Sequence, residues 1–149
     1  MAIIHNEISI SAKIDKIWNI LTDLEMLDKY DPTVKKSTLI SQEKTNLGAK
    51  RKVEMLDGKN WFEETVTVFK QNEALTYELT ACSFPVHQLK HSYSFEKAGE
   101  QIKVKQIMEY TVKFGLFGKL LDTLTIRKQT NSGIRKFFIG LKSFAEKNN

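Results

Sequence analysis

Arg51 and Glu64 stand at equal distances on either side of Asp57-Gly58, a dipeptide suited to a tight β-hairpin turn. With a two-residue turn, facing positions have numbers that add to 115, which sets Ala49 against Val66, Val53 against Phe62 and Arg51 against Glu64. Apolar then meets apolar, and the guanidinium shares the covered face with the carboxylate. An unpaired buried charge is costly and a matched pair is not, so the spacing predicts an ion pair. Such a pair can orient a polar ligand group, and in an enzyme the carboxylate would move a proton while the arginine steadies an enolate. Alternation selects Glu64 as the inward glutamate; a bulge or a longer turn would exchange it for Glu63.

Strand alternation gathers further polar groups around that pair. Ile102, Val104, Met108, Tyr110, Val112 and Phe114 share one parity while Lys103, Lys105, Glu109 and Lys113 share the other, so the first set faces inward. By the same rule Leu75, Tyr77, Leu79 and Ala81 face in, as do Leu89, Tyr93 and Phe95, which carry His87 and His91 with them. Matching Val66 with Leu79, and Leu79 with Leu89, aligns Arg51, Glu64, Ala81, His87 and Tyr110 in one transverse row, with His91 a step along near Tyr77 and Gln106. A polar belt in an apolar enclosure suits an elongated apolar ligand bearing a hydroxyl, carbonyl or carboxylate. Arg127 and Asn131, with Thr123 and Thr130, interrupt the apolar stripe of the last helix and are expected to roof the belt. In an enzyme, Glu64 or His87 would be the acid or base and Arg51 or Tyr110 the enolate stabiliser. A structural network of the same charged groups, with the tyrosines as core aromatics, accounts for the pattern equally.

Other chemistry is argued down. His87 and His91 would share a metal on a helix, but on a strand their backbones lie about 13 Å apart at roughly 3.3 Å per residue, too far for zinc bonds of about 2 Å. No phosphate-cradling glycine pattern opens a helix, and no nucleophile elbow surrounds a serine or cysteine. Neither a metal nor another cofactor is expected.

The elements that must hold these residues follow from periodicity. Ile4 to Ile10 alternates as a strand; Ser11 is a candidate N-cap for a helix whose Ile14, Ile17, Trp18 and Leu21 form one stripe. Leu24 to Tyr30 is a second short helix, halted before Pro32. From Val34 to Phe114 six strands are separated by turns and by no crossover helix, so they pair antiparallel. Beyond Gly115-Leu116-Phe117-Gly118, Leu120, Leu121, Leu124, Ile134, Phe137, Phe138, Leu141 and Phe144 recur at helical spacing. Gly133 and Gly140 each lower that helix's propensity by about 1 kcal/mol relative to alanine, so it depends on packing.

Composition sets the frame. The 149 residues are 41% apolar and 28% charged with two prolines, which suits a single folded domain over 1–149 and excludes low-complexity disorder. The net charge of +5 is scattered over Lys35-Lys36, Lys50 to Lys52, Arg127-Lys128 and Arg135-Lys136, a pattern that argues against nucleic acid as a partner. No apolar run approaches the roughly 18 residues of a bilayer crossing, Met1 to Glu7 lacks the features of an export signal, and a lone Cys82 fits a reducing compartment. A cytoplasmic monomer or homodimer is expected.

The order of strand, two short helices, six-strand meander and long final helix is that of the helix-grip fold. The sequence resembles the START-like SRPBCC superfamily, in particular its polyketide-cyclase/dehydrase and lipid-transport group. The resemblance rests on Ile8-Ser9-Ile10-Ser11-Ala12, Ile17-Trp18, Leu21-Thr22-Asp23 and Pro32; on Gly48, Arg51, Asp57-Gly58 and the glutamates that follow; and on Gly115 to Gly118, Leu120-Leu121, Arg127 and Leu141-Lys142 to Glu146. Tyr30 stands where the group often has tryptophan. Against the group's pattern Glu63 is the matching glutamate, which leaves the choice between Glu63 and Glu64 open. The resemblance implies an α+β domain whose curved seven-stranded antiparallel sheet wraps around the C-terminal helix and encloses a cavity. It implies binding of a small hydrophobic molecule or lipid by a carrier, sensor or sequestering protein, or a cyclase or dehydratase acting on an aromatic or polyketide-type substrate, or a cochaperone-like interaction module.

Overall fold

The computed structural model of the chain describes residues 1–113, 115 and 125–147. Along them run β1 (Ala2–Ile10), α1 (Ile14–Thr22), α2 (Leu27–Tyr30), β2 (Val34–Leu39), β3 (Lys50–Met55), β4 (Trp61–Lys70), β5 (Ala74–Cys82), β6 (Val86–Ala98), β7 (Gln101–Val112) and α3 (Arg127–Glu146). The expectations for Phe114, Leu116, Phe117, Gly118, Leu120, Leu121, Thr123 and Leu124 lie outside the described residues. The strands make one antiparallel sheet in the order β1-β7-β6-β5-β4-β3-β2, so the first strand closes against the last and every other neighbour is a sequence neighbour.

Alternation does the folding work. Ile10, Leu75, Tyr77 and Val104 are almost wholly buried on the covered face, and the stripe Ile17, Trp18 and Leu21 of α1 packs onto it, with Trp18 edge-on to Phe69 and Phe95 at 5.1 and 5.8 Å. α3 lays Ile134, Phe137, Phe138, Leu141 and Ala145 on the same core. Ser11 does not cap α1: that position belongs to Lys13, in extended geometry and without a side-chain cap bond. The Ser11 backbone N–H instead donates to Glu146 Oε1 at 2.8 Å, tying the exit of β1 to the end of α3. α2 is shorter than expected because Met26 and the residues before it form turns, and it ends at Asp31, whose Oδ1 accepts from the Thr33 N–H and hydroxyl. α2 crosses α3 at Gly140, where an added Cβ would stand 1.8 Å from Tyr30 O.

The β3–β4 register is the expected one, Arg51 opposite Glu64 and Val53 opposite Phe62, although the connection is longer than two residues. The Met55 N–H bonds Asn60 O, and Asp57 Oδ1 accepts from the N–H groups of Lys59 and Asn60 while Gly58 takes φ +73. A four-residue connection centred on the same dipeptide keeps the same pairing sum, so the side chains stay on their faces. Further along the sheet the expected register fails at bulges. The β4–β5 turn sets Lys70 against Ala74, already one residue off the expected register, and the extra residues Thr67 in β4 and Thr80 in β5 shift the stretch between them by one more, so Val66 pairs with Tyr77 and Glu64 with Leu79. A third shift, between Val86 and Gln88 in β6, takes His87 out of the alternation.

Candidate ligand site

β3 and β4 present Arg51 and Glu64 from adjacent strands to the hollow between sheet and α3. Arg51 Nε and Nη2 both reach Glu64 Oε1, at 2.8 and 2.7 Å, with the two side chains 7% and 2% exposed. The guanidinium also lies over the Tyr77 ring at 4.3 Å. Burial opposes the charge on Arg51, but Glu64, aided by Tyr77 and Tyr30, outweighs it and holds the guanidinium firmly protonated. Glu64 is therefore the inward glutamate, and Glu63 faces the other way, opposite Lys52.

The register places His91 between Tyr77 and Met108, and Tyr93 between Leu75 and Gln106. His91 Nε2 stands 4.0 Å from Glu64 Oε2, and burial holds the imidazole below its ordinary 6.5, Glu64 pulling upward and Arg51 downward. Tyr77 donates its hydroxyl to Leu21 O at 2.7 Å, which fastens the end of α1 to the sheet, and burial pushes the pKa of the phenol up to about 12 against the pull of Arg51. Gln106 Nε2 donates to the Tyr93 hydroxyl at 3.0 Å and Gln106 Oε1 accepts from Asn6 Nδ2 at 3.2 Å. These bonds occupy one side of the belt. On the other, Arg51 Nη1, Glu64 Oε2 and His91 Nδ1 are buried with no hydrogen-bond partner among the described residues.

A cavity of about 350 Å³ has Arg51, Glu64 and His91 among its lining residues, although those three atoms are themselves covered. Its walls are mostly apolar, with Phe62, Leu89, Met108, Ile134 and Phe137 beside the polar belt, and Asp31, Thr33, Asp57 and Asn60 at the β2 and β3–β4 side. Such dimensions fit the lower end of small-ligand pockets. Of the expected site residues, Arg51, Glu64, Tyr77, His91, Tyr93, Gln106 and Tyr110 line it.

Three do not. His87 is exposed, because the β6 bulge gives its inward place to Val86, which is buried and lines the cavity. The transverse row consequently runs Arg51, Glu64, Leu79 and then Leu89 and Tyr110, with no Ala81 or His87 in it. Arg127 and Asn131 are exposed on α3, each about 100° around the helix from a residue that does line the cavity, Ile126 and Thr130. Sequence reasoning missed Gln129, Gly133 and Phe137 as lining residues; with Ile126 and Thr130 they follow a three-and-four spacing that the interrupted stripe concealed.

Among the described residues no three His, Cys, Asp or Glu side chains gather as a metal would require, and no helix is long and apolar enough to cross a membrane. A family model described as polyketide cyclase/dehydrase and lipid transport matches residues 1–146. No curated protein matches the chain in sequence. Among solved structures, a START superfamily protein from Mycobacterium smegmatis superposes with a TM-score of 0.79 at 14% identity, over 99% of each chain. Ginseng major latex-like protein 151 from Panax ginseng gives 0.77 at 10% identity over 97% of each, and Ara h 8.0201 gives 0.80 at 14% over 99% of each. Identities this low establish a shared fold.

Proposed function

Since the chain belongs to the polyketide cyclase/dehydrase and lipid-transport family, we propose that it encloses one small, largely apolar molecule between sheet and α3, as a carrier, sensor or sequestering protein. The observation that carries this reading is the 350 Å³ cavity, mostly apolar, with Arg51, Glu64, His91 and the tyrosines as a few polar groups in its wall. Apolar ligand surface buried there contributes ~25 cal/mol per Å². Gly133 supports the same reading, since a mid-helix glycine gives up about 1 kcal/mol of helix propensity yet here leaves the cavity wall free of a side chain.

The experiment is native mass spectrometry of protein purified from its own host, with extraction of what it retains, for wild type and Gly133→Leu. A Cβ at Gly133 meets nothing within 4 Å, so leucine there grows into the cavity without displacing backbone. A hydrophobic molecule on wild type that is lost from Gly133→Leu is the expected result. Equal retention by the variant, or an empty wild type, overturns the reading.

A second reading has one observation in its favour: Glu64 is among the residues lining the cavity, and its Oε2 accepts no hydrogen bond from the described residues, as a base needs. In that case Glu64 abstracts a proton and Arg51 steadies the resulting enolate, with no part for the exposed His87. Conversion of the retained molecule by wild type, and its unchanged recovery from Glu64→Gln, would favour this enzyme. A filled interior would favour an interaction module, and the cavity between sheet and α3 weighs against that reading.

A further inference from the structure

The ion pair of the polar belt is closed to a ligand. Glu64 Oε1 is taken by Arg51, and Glu64 Oε2 and Arg51 Nη1 are covered, so the pair stands in the wall as a neutral unit. Two other carboxylates line the cavity, at its β2 and β3–β4 side. Asp57 has both oxygens engaged, Oδ1 by the N–H groups of Lys59 and Asn60 and Oδ2 by Asn60 Nδ2. Asp31 is 8% exposed and spends only Oδ1, on the N–H and hydroxyl of Thr33. Its Oδ2 accepts no hydrogen bond, yet it does not belong with the covered partnerless atoms such as Glu64 Oε2, so it keeps accessible surface. Among the described lining residues it is the one carboxylate oxygen both open and unmatched.

Charge and position define what that oxygen would take. An ionised carboxylate oxygen only accepts, so the ligand must bring the donor. Among the described residues lining the cavity, Arg51 is the one permanent cation and Glu64 already matches it, which leaves Asp31 and Asp57 uncompensated. The Leu56 N–H bonds Thr33 O at 2.9 Å and so holds the β3–β4 connection, with Asp57, against the segment that carries Asp31. Asp57 is exposed, so a cation at this end keeps part of its hydration and avoids much of the cost of burying a charge. Burial raises the Asp31 carboxyl above its ordinary range, a penalty that a neighbouring cation offsets.

Resting on the ligand-enclosing reading above, we propose that the cavity takes an apolar amine, whose ammonium donates to Asp31 Oδ2 while the rest of the molecule lies among Phe62, Leu89, Met108, Ile134 and Phe137.

Displacement of N-phenyl-1-naphthylamine, an uncharged apolar dye, by decylamine, 1-decanol and decanoate at pH 8 tests this on the wild-type protein. The three share a ten-carbon chain and differ in head-group charge. Decylamine is expected to bind about tenfold more tightly than 1-decanol, the margin of a charge-assisted over a neutral hydrogen bond, with decanoate weakest. The net charge of +5 would by itself favour the reverse order, so unspecific attraction does not imitate this one. Asp31→Asn keeps an oxygen for Thr33 and puts an amide where the open oxygen was, and it is expected to erase the tenfold margin. Should that variant not fold, the wild-type ranking decides alone. A wild type that binds decylamine no more tightly than 1-decanol or decanoate, or a margin that survives Asp31→Asn, overturns the amine inference while the cavity reading stands. A dye that fails to bind wild type, or binds Gly133→Leu equally, overturns both.

Discussion

At the scale of single residues, Arg51 and Glu64 show how far pairing constrains a buried charge. Arg51→Met strands the Glu64 carboxylate at 2% exposure and is expected to lower unfolding free energy by about 3–5 kcal/mol, whereas Arg51→Met with Glu64→Met recovers most of that loss. Urea denaturation of both variants checks this; a single variant as stable as wild type would mean that solvent reaches the pair. His91 carries a pH dependence of definite sign. Its folded-state pKa lies below the ordinary 6.5, so its contribution is complete above pH 6.5 and falls away as the pH drops from there toward the lower folded value, where the unfolded chain takes up the proton first. The groups facing it are Glu64 on β4 and Arg51 on β3. His91→Gln is expected to remove this slope, at most about 1.4 kcal/mol per pH unit for one proton, in unfolding curves taken just below pH 6.5. Identical slopes in variant and wild type would contradict the assignment. Glu64 was legible because parity and turn agreed on it; His87 was misread because parity alone placed it.

At the scale of elements, the two glycines of α3 make opposite predictions. Gly140 lies under Tyr30 O, so Gly140→Ala forces α2 and α3 apart and is expected to destabilise by about 1–3 kcal/mol despite the better helix former. Gly133→Ala meets nothing and is expected to stabilise by up to about 1 kcal/mol. Thermal or chemical unfolding of both distinguishes a packing glycine from a cavity glycine; the same sign of effect at both would refute the contrast. The strands themselves were readable wherever alternation ran unbroken, as in β7 and through the β3–β4 hairpin. Each bulge ended that legibility. One extra residue shifts register and side together, and neither Thr67, Thr80 nor His87 carries a glycine or proline that would have marked it. On α3, apolar spacing identified the helix, but which of its polar residues look into the cavity depends on its rotation over the sheet.

At the scale of the whole molecule, cavity and stability are linked. A ligand that binds only the folded state stabilises it by RT ln(1 + [L]/Kd), about 2.7 kcal/mol at a hundredfold excess over Kd, so the molecule recovered from the host is expected to raise the melting temperature of wild type. Gly133→Leu is expected to melt at the same temperature with or without it. A shift of equal size in both would move the binding site out of the cavity. The curled sheet makes this coupling possible: β1 closes on β7, α3 crosses the hollow, and α1 is fastened to the wall by the Tyr77 hydroxyl, so ligand, helix and sheet share one interior.

The sequence by itself determined the antiparallel sheet, the order of elements and the Arg51–Glu64 pair, because local alternation, helical spacing and one symmetric hairpin act over short stretches of chain. Tertiary structure alone decided that His87 faces solvent, that Arg127 and Asn131 turn away from the belt, and that Arg51, Glu64 and His91 share the wall of one cavity. Those outcomes depend on bulges accumulated across the sheet and on the rotation of α3, and both are fixed by packing between segments far apart in the chain.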